Sequence, residues 1–238
     1  MLFFKLKSCR KQVTDYAMLN KPNKTPGNWF SLIALFLFIS CYNNSTNSEQ
    51  TKRIDYPFPA YPTVFKMNPE ALASVYETGN YPDEIEELPG HAFPFAGTVS
   101  HHLLVAPYID QWFKALKLNR NDIKTFIIIS PHHWIQGYQY LSLSSVPWDY
   151  GEGIVEVDLE TLDFITTSLD IPEDPDAFLL EHGIGTLIPF ISMYYPEAKI
   201  VPILQREKPL RLKYMKELSE VILDLLQDDF NRYFVIVS

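Results

Sequence analysis

Cysteine is nearly absent from this chain. Of 238 residues only Cys9 and Cys41 carry a thiol, and both lie in the amino-terminal fifth. No disulfide framework, cysteine metal cluster or cysteine nucleophile is therefore available to the rest of the chain. Positive charge is also short. Lys and Arg number 20 against 29 Asp and Glu, a formal net charge of -9, with acidic stretches such as Asp83-Glu84-Ile85-Glu86-Glu87. Phosphate backbones repel such a chain, so nucleic acid is not expected as a partner. Nine glycines stand against eighteen prolines, which reads as stiff rather than flexible connections. There is no Gly-x-Ser-x-Gly elbow, no phosphate loop and no His-Glu-x-x-His pair. No repeat at solenoid or propeller period occurs. What is present is an ordinary apolar fraction, 47%, enough for one core domain with a leader and linker.

The longest apolar run, residues 29–41, is also limited. It falls short of the ~20 apolar residues a membrane span needs. Lys21 and Lys24 precede it, and no charge occurs from Pro26 through Ser48. That layout matches a secretory signal. Phe38-Ile39-Ser40-Cys41 resembles a bacterial lipobox, in which Cys41 becomes the lipidated first residue of the mature protein. The sequence thus predicts a leader over 1–41 and a polar, then Pro/aromatic, tether over 42–69. It predicts a lipid anchor to the membrane of a bacterial cell envelope; the alternative is a cytoplasmic protein with a buried apolar helix. Pro57, Pro59, Pro62 and Pro69 exclude regular helix from the tether, which reads as an extended arm along the domain surface.

Over 70–238 strand and helix signals alternate. Phe95–Ser100, Thr125–Ser130, Lys199–Leu204 and Tyr233–Val237 read as strands, and Tyr138–Ser144 as a half-exposed one. Ala106–Leu116, Leu159–Leu169, Gly183–Tyr195 and Leu210–Leu226 read as helices. Thr125–Ser130 is a continuous β-branched run, the pattern of a strand buried on both faces. The fold class that follows is α/β: a layered domain with a largely parallel sheet flanked by helices.

Two histidine pairs close two of the strand runs: His101-His102 after the first and His132-His133 after the second. Side chains just past the carboxyl ends of parallel strands line the ligand crevice of such folds. Neutral imidazoles delivered there can hold zinc, iron or copper; the bland alternative is polar capping of strand ends. Alternation along an extended chain sends pair neighbours to different faces. One member of each pair is therefore a candidate ligand and the other a supporting or acid/base group. Glu181-His182 precedes a later helix signal and reads either as an acid/base site or as a capping pair. Protons would compete for histidine ligands below about pH 6.5.

Five segments then fall in a telling order: Val99-Ser100-His101-His102, Ser130-Pro131-His132-His133, Trp148 to Asp158, Glu181-His182-Gly183 with Leu187-Ile188-Pro189-Phe190, and Ile200-Val201-Pro202-Ile203-Leu204. The series resembles the Memo family, also called AmmeMemoRadiSam system protein B. That family shows Val-Pro-His-Ala-Gly, Gly-Pro-Asn/Ser-His, Glu-His-Ser-x-Glu-x-x-Leu-Pro-Phe and a Val-Pro-Ile strand. The resemblance implies a fold like that of the LigB-type extradiol dioxygenases. It also implies a metal ion, iron or copper first and zinc next, with His101 and His133 as ligands and His182 and Glu181 as catalytic residues of the same pocket. Ser100 stands where the family has Pro, Ser130 where it has Gly, and Gly185 where it has the second Glu. The family's Asp-x-x-His motif and later ligand would follow Ser238, so the domain reads as truncated.

Two readings stand side by side. One is a metal-dependent oxidoreductase acting on a small molecule. The other is a non-catalytic, lipid-anchored metal- or partner-binding module that keeps the fold without the full site.

Overall fold

The β-branched run of the sequence becomes the central strand of the fold. In the computed structural model, which describes residues 2–3, 59–63, 67–78, 93–134, 139–206 and 212–238, the elements follow as β1 (Leu2–Phe3), β2 (Tyr61–Pro62), α1 (Pro69–Thr78), β3 (Ala96–Thr98), α2 (Ala106–Asn119), β4 (Thr125–Pro131), β5 (Leu141–Leu143), β6 (Trp148–Asp149), β7 (Ile154–Val155), α3 (Leu159–Leu169), α4 (Ile188–Tyr194), β8 (Lys199–Gln205), α5 (Leu212–Asp228) and β9 (Tyr233–Val237). The main sheet has the order β1-β3-β9-β4-β8-β5. Strands β3, β9, β4 and β8 run parallel, with β1 and β5 antiparallel at the edges. Helix α2 packs with α1 and α4, and α3 packs with α5. This is the layered α/β architecture, with a largely parallel sheet, that the alternating signals predict.

Phe126, Ile127 and Ile128 of β4 are fully buried, as a strand with neighbours on both edges and helices on its faces requires. Its partner β8 contains Pro202, which has no N–H for a ladder. The register explains how the strand accommodates it. The N–H and C=O of Ile200 go to Glu156 and Asp158. Alternation puts the Pro202 nitrogen on that same edge, between the bridge at Ile200 and the short β5, which pairs only with Ile203–Gln205.

Several local readings are corrected. The helix expected over Gly183–Tyr195 is α4 alone, Ile188–Tyr194, with Pro189 in its first turn. Residues 183–187 form turns instead, because the Glu181 carboxylate accepts the N–H groups of His182 and Gly183 and tertiary contacts hold the two glycines. Of the strand expected over Tyr138–Ser144, the described residues 139–144 contribute only β5, and all three of its residues are buried rather than alternating. Ser142 at its centre is covered because its hydroxyl donates to Asp174. The proline-rich arm does not merely run along the surface. Tyr61 is 1% exposed, stacks on Phe178 and bonds Ser144 and the carbonyl of Pro175, while β2 pairs with β6. The leader, Cys41 and the polar tether lie outside the described residues. Among the described residues no helix is long and apolar enough to cross a membrane.

Two buried polar groups tie the layers together. Asp110 of α2 accepts the phenols of Tyr76 from α1 and Tyr194 from α4. Burial and that carboxylate hold both phenols above their ordinary pKa. Arg120, at the end of α2, is fully buried. Its guanidinium donates to the carbonyls of Pro94, Phe230, Asn231 and Tyr233 and to Asp122. It thereby joins the chain entering β3 to the chain entering β9. A lysine ammonium cannot span that fork. Arg120→Lys should destabilise the fold by about 3–5 kcal/mol, as removal of one partner from a buried ionic network does. A chemical-denaturation midpoint close to that of the wild type would refute this.

Candidate metal centre

The parallel register brings distant residues to one edge of the sheet. Thr98 of β3 and Ile129 of β4 both pair with Val237 of β9. His101, His133 and Ser238 therefore follow just past the same level of three adjacent strands. His182 arrives from the turn that precedes α4. Ring centroids lie 5.0 Å apart for His101 and His133, 5.7 Å for His101 and His182, and 4.3 Å for His133 and His182. One ring nitrogen from each falls in a group whose members all lie within 4.8 Å of one another.

Strand alternation separates the second histidine pair but not the first. Contrary to the expectation that pair neighbours go to different faces, the His101 and His102 rings stay side by side, their centroids 4.6 Å apart, because both residues lie past the end of β3. His102 stays at the edge, exposed, its ring 6.3 Å from that of His182. His132 turns away and is buried. It lies outside the group.

Proton bookkeeping fixes two of the three rings. His133 Nδ1 lies 2.6 Å from Glu181 Oε1. A carboxylate only accepts, so Nδ1 carries a proton, and in the neutral ring it is Nε2 that holds the lone pair. Ser238 Oγ donates its single proton to the Val99 carbonyl at 3.1 Å. It must then accept from His101 Nδ1, 3.2 Å away, which again leaves Nε2 as the free donor atom. The donor set suits a transition-metal ion, because neutral imidazoles with free lone pairs are what such ions bind.

Glu181 is buried behind the rings rather than among them. Its carboxylate accepts the Nδ1–H of His133 and the backbone N–H groups of His133, His182 and Gly183. Burial alone would raise its pKa. The N–H donors of Gly183 and His133, with the His133 ring, outweigh burial and hold it below the usual carboxylate range. Burial, followed by the neighbouring imidazoles of His133, His102 and His182, pushes His101 down to about 4. Burial and then His133 lower His182 as well.

Two glycines let the 181–185 turn sit this close to the sheet. A Cβ on Gly183 would stand 2.1 Å from Ser130 Oγ, and one on Gly185 would stand 2.8 Å from Cζ3 of Trp148. Neither glycine has the positive φ that demands one; space demands them. Trp148 fills the volume into which a side chain at 185 would project. A cavity of about 800 Å³ lies at the opposite end of the strands, lined by Thr125, Asp158, Lys199 and Arg232. Its buried carboxylate is already paired, Asp158 with Thr125 and Arg232.

The sequence profile of the Memo-like proteins matches residues 61–238. The chain belongs to the Memo family. A MEMO1 family protein of Caldivirga maquilingensis is 29% identical over 160 residues, covering 66% of this chain and 53% of the relative. One from Pyrobaculum aerophilum is 27% identical over 164 residues, covering 68% and 57%. One from Archaeoglobus fulgidus is 28% identical over 141 residues, covering 59% and 50%. The chain thus spans about half the length of these relatives. The Memo family resemblance drawn from motif order is thereby established.

Ser238 and Ser130 were not singled out as site residues from the sequence. The register of β9 against β3 and β4 reveals Ser238, and the close approach of Gly183 reveals Ser130.

Two outcomes follow. Gly183→Ala should cost about 2–3 kcal/mol by overpacking, and Ser130→Ala in the same chain should remove most of that cost in thermal denaturation. Between pH 6.5 and about 4, unfolded histidines bind protons while His101 stays neutral in the fold. Stability of the metal-free protein should therefore fall steadily as pH drops through that window. Proton competition for metal should likewise begin below the pH 6.5 onset expected for free imidazoles. A flat melting temperature from pH 7 to 4.5 contradicts this.

Proposed function

We propose that this Memo-family chain binds a transition-metal ion through His101, His133 and His182, and that the loaded centre supports oxidoreductase chemistry on a small molecule. The observation that carries the reading is the convergence of three imidazole donor atoms within 4.8 Å. Imidazole suits iron, copper and zinc, and the family resemblance favours iron or copper. Such an ion supplies redox and Lewis-acid chemistry when bound.

The chain's own residues supply position and protonation state. Glu181 holds the Nδ1 proton of His133 and fixes its ring, and Ser238 does the same for His101. Low pKa values keep His101 and His182 neutral, with lone pairs available, at neutral pH. His182, read from the sequence as acid/base, serves here as a ligand, and Glu181 acts through His133. His102 faces solvent at the edge of the group, where it can exchange protons with a bound molecule.

One observation favours the non-catalytic reading. The group contains no carboxylate among the described residues, so the two-histidine, one-carboxylate set of oxygen-activating iron sites is not formed by them. The two readings part on turnover.

Metal analysis of the purified chain should give one ion per chain. Alanine at His101, His133 or His182 should weaken binding by about 100-fold or more, and Glu181→Gln by about 10–100-fold. Oxygen uptake with a catechol or a small reductant, lost in all three histidine variants, supports the oxidoreductase. Stoichiometric metal without turnover supports the metal-binding module, and absence of metal refutes the oxidoreductase and the metal-binding module, leaving only a partner-binding one.

The proposal also includes a lipid anchor at Cys41. Wild type should then partition into detergent and Cys41→Ser into water; equal partitioning refutes the anchor.

A further inference from the structure

The three imidazoles are not held alike. The His133 ring is tied to Glu181 and the His101 ring to Ser238. The described residues give the His182 ring no hydrogen bond; its Nδ1 stands 3.8 Å from Glu181 Oε1, beyond hydrogen-bond range. The place of that ring therefore depends on the turn that carries it, and Tyr61 grips the turn on both sides. At its entry the Tyr61 hydroxyl donates to the Pro175 carbonyl at 2.8 Å, and the Tyr61 ring stacks on Phe178 with centroids 5.8 Å apart. The Phe178 carbonyl in turn accepts the N–H of Glu181, one residue before His182. At its exit the Tyr61 ring lies 5.1 Å from that of Trp148, and Trp148 fills the space beside Gly185. Tyr61 is itself anchored. It is 1% exposed, its N–H donates to the Pro147 carbonyl at 2.8 Å, and its hydroxyl meets Ser144 Oγ at 2.7 Å.

We propose that Tyr61 is a positioning residue for His182, clamping residues 178–185 so that the His182 ring stands against those of His133 and His101. The inference rests on the metal-binding reading above for the use that this position serves. A ligand ring that lacks a hydrogen bond of its own is held in place by the packing around it. Here that packing comes from the proline-rich arm, which thereby becomes part of the centre although it lies some 120 residues before His182. Glu181 does not depend on Tyr61 in the same way, because the His133 amide and ring hold its carboxylate from the end of β4.

The test uses the full chain with Co(II) as the probe metal and its visible spectrum as the readout. Tyr61→Leu keeps the core filled and removes both the ring contacts and the hydroxyl. It should bind Co(II) about tenfold or more weakly, as loss of a ligand-orienting partner does, with a spectrum of the form given by His182→Ala. Tyr61→Phe keeps both ring contacts and loses only the bond to Pro175. It should restore the wild-type spectrum, at an affinity about threefold below wild type for one net hydrogen bond. In a His182→Ala background neither substitution should cost further affinity, because both changes then act through one group. In the metal-free chain the His133 and His182 rings, 4.3 Å apart, should give a nuclear Overhauser contact that Tyr61→Leu abolishes. Wild-type Co(II) affinity in a folded Tyr61→Leu chain overturns the inference, and so does an equal loss with and without His182. Should Tyr61→Leu not fold, wild-type affinity in Tyr61→Phe overturns it. A wild-type chain that takes up no Co(II) refutes the metal-binding reading, and the Overhauser contact alone then decides the role of Tyr61.

Discussion

The buried carboxylate of Glu181 is the interaction on which the centre depends. An unpaired carboxylate at that depth would be prohibitively unfavourable, and it is stable only because four N–H groups from two segments converge on it. One segment is the end of β4 at His133; the other is the turn at His182 and Gly183. Satisfying the charge therefore docks the turn onto the sheet. Docking brings two histidines together and sets the tautomer of one. Charge satisfaction, loop conformation and donor orientation are one event here.

That dependence also explains why the turn is not a helix. Continuing a helix through residues 183–187 would withdraw the His182 and Gly183 amides from the carboxylate. The two glycines, bare against Ser130 and Trp148, allow an approach that side chains at those positions would block. Helix propensity over Ile184–Ile191 is satisfied only from Ile188 onward, where Pro189 suits a first turn.

Much of the fold was legible because its signals are local. The β-branched run of β4, the helical spacing of α3 and the apolar stretch of β9 each announce their type and extent. The pairing of histidines with strand ends was legible for the same reason, and so was the separation of His132 from His133; His101 and His102 stay together instead. What stayed hidden is non-local. Nothing near Ser238 marks it as a partner of His101, and nothing near Gly185 marks Trp148 as its neighbour. The burial of β5 depends on Asp174 and the segment around Phe178, which lie some thirty residues on. The role of Glu181 was hidden because a carboxylate beside a histidine suggests an acid/base group until its oxygens are counted.

The hydrogen bond between His101 and Ser238 joins residues 137 apart, and β3 finds β9 across a similar distance. Contacts of that range form slowly, because a long loop must close before any of them contributes. During synthesis β4 can emerge and wait, but β3 has no β9 beside it until Tyr233–Val237 have followed. His101 thus acquires its fixed ring last of the three. The three-histidine group is therefore first a scaffold of two oriented imidazole-bearing segments, and it closes only when β9 joins the sheet.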